Sequence, residues 1–156
     1  MTLFTKDEAL ALVARLRAAG KSIVFTNGVF DLLHPGHVRY LQEARTLGDA
    51  LIVGVNSDRS VRAIKGEARP ITPEGERAEI LAALACVDGV VIFDGDTPHT
   101  VISVIQPDIL VKGADWAEDA IIGRDIVEGR GGRVVRVRIE PGYSTTAIIE
   151  KIRERC

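Results

Sequence analysis

At 156 residues and 16.9 kDa the chain fits one domain of ordinary size, able to bury roughly 70% of the surface its unfolded form exposes. Hydrophobic residues make up 46% and charged residues 27%, and no apolar stretch approaches the roughly 20 residues that span a bilayer, which argues against membrane insertion. Lys and Arg number 20 against 22 Asp and Glu, both signs interspersed, so nonspecific nucleic-acid binding is not expected. The first residues run straight into Lys6, Asp7 and Glu8 without the features of a secretory signal, and a cytoplasmic location is the default expectation. Cys86 and Cys156 are too few for a disulfide framework or a zinc site, and the only histidines are His34, His37 and His99.

Thr5-Lys-Asp-Glu8 has the form of a capping box, and Ala9, Leu10, Leu12, Val13 and Leu16 follow at helical spacing until Gly20. Ser22 to Thr26 is a short β-branched run, the pattern of a strand buried on both faces. Pro35 stands where a first helical position favours it, and Val38, Leu41, Ala44 and Leu47 continue a second helix toward Gly48. The alternation goes on: strand Leu51 to Val55, helix Pro73 to Cys86, strand Gly89 to Phe93, and a helix opened by Thr97-Pro98 and running to Ile105. Strand Ile109 to Lys112, a helical stretch within Ile121 to Gly129, strand Arg133 to Ile139 and a helix from about Ser144 complete it. Ala63 to Thr72 and Gly113 to Asp119 read as polar loops. Strands separated by helices predict a doubly wound, Rossmann-like α/β fold with a parallel sheet of about five strands, helices on both faces and ligands at the carboxyl ends of the strands.

The first strand-to-helix turn carries His34 and His37, three apart at a helix start, where both imidazoles can face one side of the first turn. Unpaired N–H groups and the helix dipole favour an anion there, and Gly36 lets a phosphate approach the backbone. The turn is neither a GxGxxG fingerprint nor a GxxxxGK[ST] loop, which sets aside hydride transfer and Walker-type ATPases. Tyr143-Ser-Thr-Thr146 opens the final helix with hydroxyls and N–H groups at a second possible anion site. Lys65, Arg69 and Lys112 are the strongest candidates among the cations, although a solvated surface charge is the plainer reading of any one of them. Arg77 reads as the weakest, open to a pair with Glu74. Asp31 either fixes the His34 loop or touches substrate, and Trp116 either covers a base or packs its loop.

The string Gly28-Val-Phe-Asp-Leu-Leu-His-Pro-Gly-His37 resembles the HxGH signature of the nucleotidyltransferase superfamily, in its cytidylyltransferase-like branch, and Tyr143 to Thr146 resembles that family's second phosphate-binding signature. The resemblance covers about Ser22 to Arg153 within an expected single domain of residues 1–156. It is strongest toward the heptose 1-phosphate adenylyltransferases of lipopolysaccharide-precursor synthesis, through Thr26 to His37 with Tyr40-Leu41, Val55 to Asp58 with Lys65-Gly66 and Arg69-Pro70, and Asp96-Thr-Pro98 with Pro107 to Gly113.

The resemblance implies transfer of AMP from ATP to D-glycero-β-D-manno-heptose 1-phosphate, giving ADP-heptose and pyrophosphate, with Mg²⁺ on the nucleotide and no dedicated metal site. It implies His34 and His37 on the α- and β-phosphate oxygens and the Ser144, Thr145 and Thr146 groups on the β- and γ-phosphates. Lys65 or Arg69 would meet the acceptor phosphate and Lys112 the triphosphate. Thr26, Asn27, Gly28, Phe30, Gly36, Asn56, Asp58, Gly113, Asp115 and Tyr143 are implied substrate- or nucleotide-binding positions. Family members often form homodimers, the partners implied are otherwise small molecules, and a separate sugar kinase would have to make the acceptor. Glycerol-3-phosphate cytidylyltransferases share the HxGH string and Gly113 to Trp116, but carry Arg-Thr-Glu-Gly before their Ser-Thr-Thr where this chain has Ile139 to Tyr143. A nucleotide-binding module without catalysis is the rival of another class.

Overall fold

The computed structural model describes residues 3–156; Met1 and Thr2, which the expected domain includes, lie outside the described residues. The elements in chain order are β1 (Leu3–Phe4), α1 (Lys6–Ala18), β2 (Ile23–Gly28), α2 (Pro35–Arg45), β3 (Ala50–Asn56), α3 (Asp58–Lys65) and α4 (Glu74–Ala82). There follow β4 (Gly89–Phe93), α5 (His99–Ile105), β5 (Ile109–Gly113), a 3₁₀ turn (Glu118–Ala120), α6 (Arg124–Gly129), β6 (Arg133–Val137) and α7 (Thr145–Arg155). All strand pairings are parallel, in the order β1-β4-β3-β2-β5-β6. The five expected strands all form, and the two-residue β1 adds a sixth at the edge beside β4. No helix among the described residues is long and apolar enough to cross a membrane.

The period-two alternation of a strand divides the core into two layers. Val24, Leu51, Val53, Val55, Val90 and Val111 pack with Leu41 and Ala44 of α2 and with Ala78 and Leu81 of α4. Ile23, Phe25, Ile52, Val91 and Leu110 pack on the other face with Ala9 and Val13 of α1, Val101 and Ile102 of α5 and Val127 of α6. Both faces being covered is why these strands read as continuous apolar runs.

Several boundaries differ from the sequence reading. α3 lies partly in what reads as a polar loop: it is eight residues long, capped by Ser57 accepting from the Ser60 amide, and buries only Ser60 and Val61, too short an apolar repeat to stand out. α4 stops at Ala82, before Cys86, whereas α6 falls within the expected Ile121 to Gly129, opened by Gly123 in a left-handed conformation (φ 92°). β2 runs two residues past Thr26, and β6 ends two residues before Ile139.

At α1 the Thr5 hydroxyl accepts from the Glu8 amide (3.2 Å) while the Glu8 carboxylate accepts from the Thr5 amide (2.8 Å), the capping box expected there. Thr5→Ala should therefore cost about 1 kcal/mol and lower the melting temperature by about 2–4 °C, read by circular dichroism, with catalytic constants unchanged.

Candidate active site

The sheet order reverses direction between β2 and β5, and there the two strands part. Their ladder pairs Val24 with Ile109 and Phe25 with Leu110 and goes no further, although β2 continues to Gly28 and β5 to Gly113. Side chains satisfy the Val111 carbonyl that the ladder abandons: the buried Thr26 hydroxyl donates to it (2.9 Å) and the Tyr40 hydroxyl also reaches it (3.3 Å), while across the gap the Lys112 ammonium donates to the Asn27 side-chain carbonyl. Burial pushes the Lys112 ammonium down to about 8 and the Tyr40 phenol up to about 12. Thr26 thus lies in the wall behind the crevice, fully buried and bonded to the Val111 carbonyl and the Tyr40 hydroxyl.

At the mouth of this crevice stands the start of α2. His34 is its N-cap: the His34 Nδ1 accepts from the His37 amide (3.3 Å), and the His37 Nδ1 accepts from the His34 amide (3.4 Å). This is a capping box made of two imidazoles, their rings stacked 3.8 Å apart. Since each Nδ1 is an acceptor, each neutral ring carries its proton on Nε2, leaving two N–H donors for a ligand. Burial lowers both pKa values, that of His37 to about 4 with His34 adding repulsion, so both are neutral at pH 7. Phe30, held at φ 50°, sets its ring edge-on against His37 at 5.4 Å. A Cβ on Gly36 would come within 2.9 Å of the His34 ring and 3.0 Å of the Tyr143 Cβ, so only glycine fits between the two helix starts.

The second start is that of α7. Ser144 caps it by accepting from the Ala147 amide (2.9 Å), and Thr145 donates to the Leu32 carbonyl (3.0 Å) on the histidine loop. Tyr143 stacks on His34 at 5.9 Å, and the Arg39 guanidinium lies over the Tyr143 ring at 5.6 Å and pairs with Glu140. Two helix N-termini therefore meet side by side, the arrangement in which backbone N–H groups and dipoles best hold a chain of phosphates.

A polar scaffold under the site was misjudged from sequence. Arg77 is 1% exposed and makes no pair with Glu74. It donates to the Thr72 carbonyl (2.8 Å), the Val29 carbonyl (2.7 Å) and the Asp58 carboxylate (2.8 Å), tying the histidine loop to the start of α3. Asp58 is accordingly engaged by Arg77 and does not line the cavity. Asp31 fixes the His34 loop, as its place there suggests, by accepting from the Ile71 amide (2.9 Å), the Thr72 amide (2.9 Å) and the Arg69 guanidinium (2.6 Å), which tie that loop to residues 69–72. Burial would raise the Asp31 carboxyl, but those donors outweigh it and hold it below the usual carboxylate value. Arg69 is thereby fixed with its side chain on the cavity.

The cavity has a volume of about 430 Å³. It brings together His34, His37, Lys65 and Arg69 with Asn27, Gly28, Phe30 and Gly36 from the first turn, Gly113 and Asp115 after β5, and Tyr143, Ser144, Thr145 and Thr146. Asn56 and Lys112 face an adjoining cavity of about 360 Å³ that shares the Asn27, Lys65 and Trp116 walls. Tyr40 and Trp116 line both; the Tyr40 role is visible in sequence only as a polar tip at a core-facing helical position. Among the described residues no group of three or more His, Cys, Asp or Glu could hold a metal ion.

A doubly wound sheet whose switch-point crevice presents donors to a run of phosphates from two helix starts is the architecture of a nucleotidyltransferase. The chain belongs to the cytidylyltransferase-like family, whose model matches residues 25–151. It is 59% identical over 140 residues to the bifunctional protein HldE of Citrifermentans bemidjiense, covering 90% of this chain and 29% of that protein. It is 55% identical over 146 residues to HldE of Geobacter sulfurreducens, covering 94% and 30%. The chain thus spans about three-tenths of the length of these curated relatives. Among solved structures, a lipopolysaccharide core biosynthesis protein from Thermoplasma volcanium is similar at a TM-score of 0.62 and 36% identity, over 78% of this chain and 98% of that one. Pantoate-β-alanine ligase from Francisella tularensis shares the fold at a TM-score of 0.64 and 15% identity, over 99% of this chain and 78% of that one.

The imidazole pair makes folding acid-sensitive. An ordinary His protonates near 6.5, whereas folded His37 resists until about 4. Nothing is lost above pH 6.5, but as pH falls toward 4 the unfolded chain takes up a proton the folded ring refuses, and stability declines across that window. Urea melts at pH 7.0 and 4.5 should show a larger midpoint difference for the native chain than for His37→Gln. Arg77→Met, which removes a buried guanidinium from two part-buried carbonyls and the Asp58 carboxylate, should destabilise by about 3 kcal/mol in the same assay at pH 7.

Proposed function

We propose that the chain transfers AMP from ATP to D-glycero-β-D-manno-heptose 1-phosphate, forming ADP-heptose and pyrophosphate for lipopolysaccharide synthesis. The observation that carries this reading is the convergence of the α2 and α7 starts, with two neutral imidazoles offering Nε2–H donors, on one crevice. The heptose acceptor and the adenine base are supported by the motif resemblance at Asp96-Thr-Pro98 and Pro107 to Gly113, and by the HldE relatives at 55–59% identity.

In this reading an oxygen of the acceptor phosphate attacks the α-phosphorus of ATP, and the bond from that phosphorus to the bridging oxygen breaks as pyrophosphate leaves. The nucleophile is already anionic, so no general base is needed; the residues must hold two repelling anions in line and stabilise charge on the transferring group. His34 and His37 donate to the α- and β-phosphate oxygens. The amides and hydroxyls of Ser144 to Thr146 take the β- and γ-phosphates, Lys112 assists the triphosphate, and Lys65 with Arg69 receives the acceptor phosphate. Mg²⁺ held by the triphosphate and water would supply further charge neutralisation on the leaving pyrophosphate. Of the two carboxylates on the cavity, Asp31 is engaged by Arg69 and two amides, so Asp115 is the one that can face such an ion. A kinase must first place the phosphate on the sugar, and a homodimer is the assembly the family resemblance suggests.

Pyrophosphate release should occur with ATP and heptose 1-phosphate; release only with CTP and glycerol 3-phosphate would replace this reading with a cytidylyltransferase, and a nucleotide-induced rise in melting temperature without turnover would indicate a binding module. His37→Ala should lower kcat by on the order of 10²–10³ while calorimetry shows ATP affinity largely kept, because the contact strengthens in the transition state. His34→Asn, which preserves an N-cap, should show a comparable loss of kcat without loss of helix stability.

A further inference from the structure

A column of flat groups runs from the core to the surface beside the cavity. Its inner end is the Phe30 ring, 7% exposed and packed in the core, which meets His37 edge-on at 5.4 Å. His37 stacks on His34 at 3.8 Å, Tyr143 lies within 17° of parallel to His34 at 5.9 Å, and the Arg39 guanidinium lies over the Tyr143 ring at 5.6 Å. Burial fixes the inner end but not the outer one. Tyr143 is 38% exposed and belongs to the loop between β6 and α7, which has no helix or strand of its own. Arg39, in the second turn of α2, bridges to that loop twice, over the Tyr143 ring and in its ion pair with the Glu140 carboxylate. It lines neither the phosphate cavity nor the adjoining one. The hydrogen bonds of the two imidazoles do not fix the ring planes unaided. The His37 amide is shared between the His34 carbonyl (3.0 Å) and the His34 Nδ1 (3.3 Å), and the return bond to the His37 Nδ1 is 3.4 Å long. Both bonds to Nδ1 exceed the usual range of about 2.7–3.2 Å, so the orientation of the rings depends on what packs against them.

We infer that Arg39 is a positioning residue for the reaction: by pinning Tyr143 and Glu140 it closes the outer end of the column, keeps the His34 Nδ1 on the His37 amide, and so keeps the Nε2–H groups aimed at the cavity. The inference rests on the reading of the two imidazoles as donors to phosphate. An exposed guanidinium over one ring and beside one carboxylate contributes modestly, so its loss costs several-fold in rate rather than the hundredfold or so of losing a donor itself.

Arg39→Leu should lower kcat by about three- to tenfold with the KM for ATP within about twofold, and Arg39→Lys, which keeps a cation over the ring, should recover most of the loss. In a Tyr143→Ala background Arg39→Leu should add less than about 1.5-fold, because the path through the ring is already cut. NMR shifts of the His34 ring nitrogens at pH 7 give a readout independent of turnover: a single Nε2–H tautomer in the native chain and in Arg39→Lys, and a mixture of both tautomers in Arg39→Leu. A merely structural Arg39 would lower the melting temperature on substitution and leave kcat and the His34 tautomer as they are. That result overturns the inference, as does an Arg39→Leu effect that persists in full without the Tyr143 ring; either leaves the proposed activity standing. Absence of pyrophosphate release from any nucleotide and acceptor overturns the activity, and the His34 tautomer then decides whether Arg39 holds the ring.

Discussion

Everything at the site depends on β2 and β5 ceasing to pair after Phe25 and Leu110. Two parallel strands that stay laddered leave no room between them; two that separate leave carbonyls and amides without partners in a buried place. Here the Thr26 and Tyr40 hydroxyls take up that role at the Val111 carbonyl, and the Lys112 ammonium and the Asn27 side chain bridge the gap between the two strands. The bridge across the gap also places a buried cation, Lys112, on the wall of the crevice.

The α2 and α7 starts then finish the site by different means. At α2 the residues that cap the helix are also the donors aimed at the ligand, and mutual acceptance of amide protons at Nδ1 fixes which nitrogen carries the proton. At α7 the cap is an ordinary serine and the docking comes from the Thr145 bond to the Leu32 carbonyl and from Tyr143 against His34. Arg77 and Asp31 act one layer further down, holding the loops that carry Val29 and Arg69.

The alternation of apolar strands with capped helices made the sheet legible before any coordinates, and the HxGH string marked the crevice, because buried parallel strands and helix starts leave strong local patterns. The strand order, and so the parting of β2 from β5, is set by pairings between residues some 85 positions apart and has no local signature. Arg77 was misread for a related reason. A cation on a helix is usually a solvated face, and only the tertiary structure reveals that three acceptors from Val29, Asp58 and Thr72 converge on it. For Asp58 and Thr26, motif membership points toward a ligand, and the bonds they make to Arg77 and to the Val111 carbonyl leave no local mark in the sequence. α3 escaped because eight residues with two buried positions are too few for a periodicity to emerge.

α7 buries none of its residues completely, and its attachment is concentrated at its first turn, on contacts with a loop 113 residues earlier in the chain. An element with so little buried surface opens at a small fraction of the free energy needed to unfold the sheet. Half of the proposed phosphate-binding surface is therefore mounted on the part of the molecule that is cheapest to detach, while the other half is anchored in the core. A polyanion bridging the two starts adds the very contacts that α7 lacks, so amide hydrogen exchange along Thr145–Arg155 becomes a local gauge of occupancy, independent of any change in the sheet.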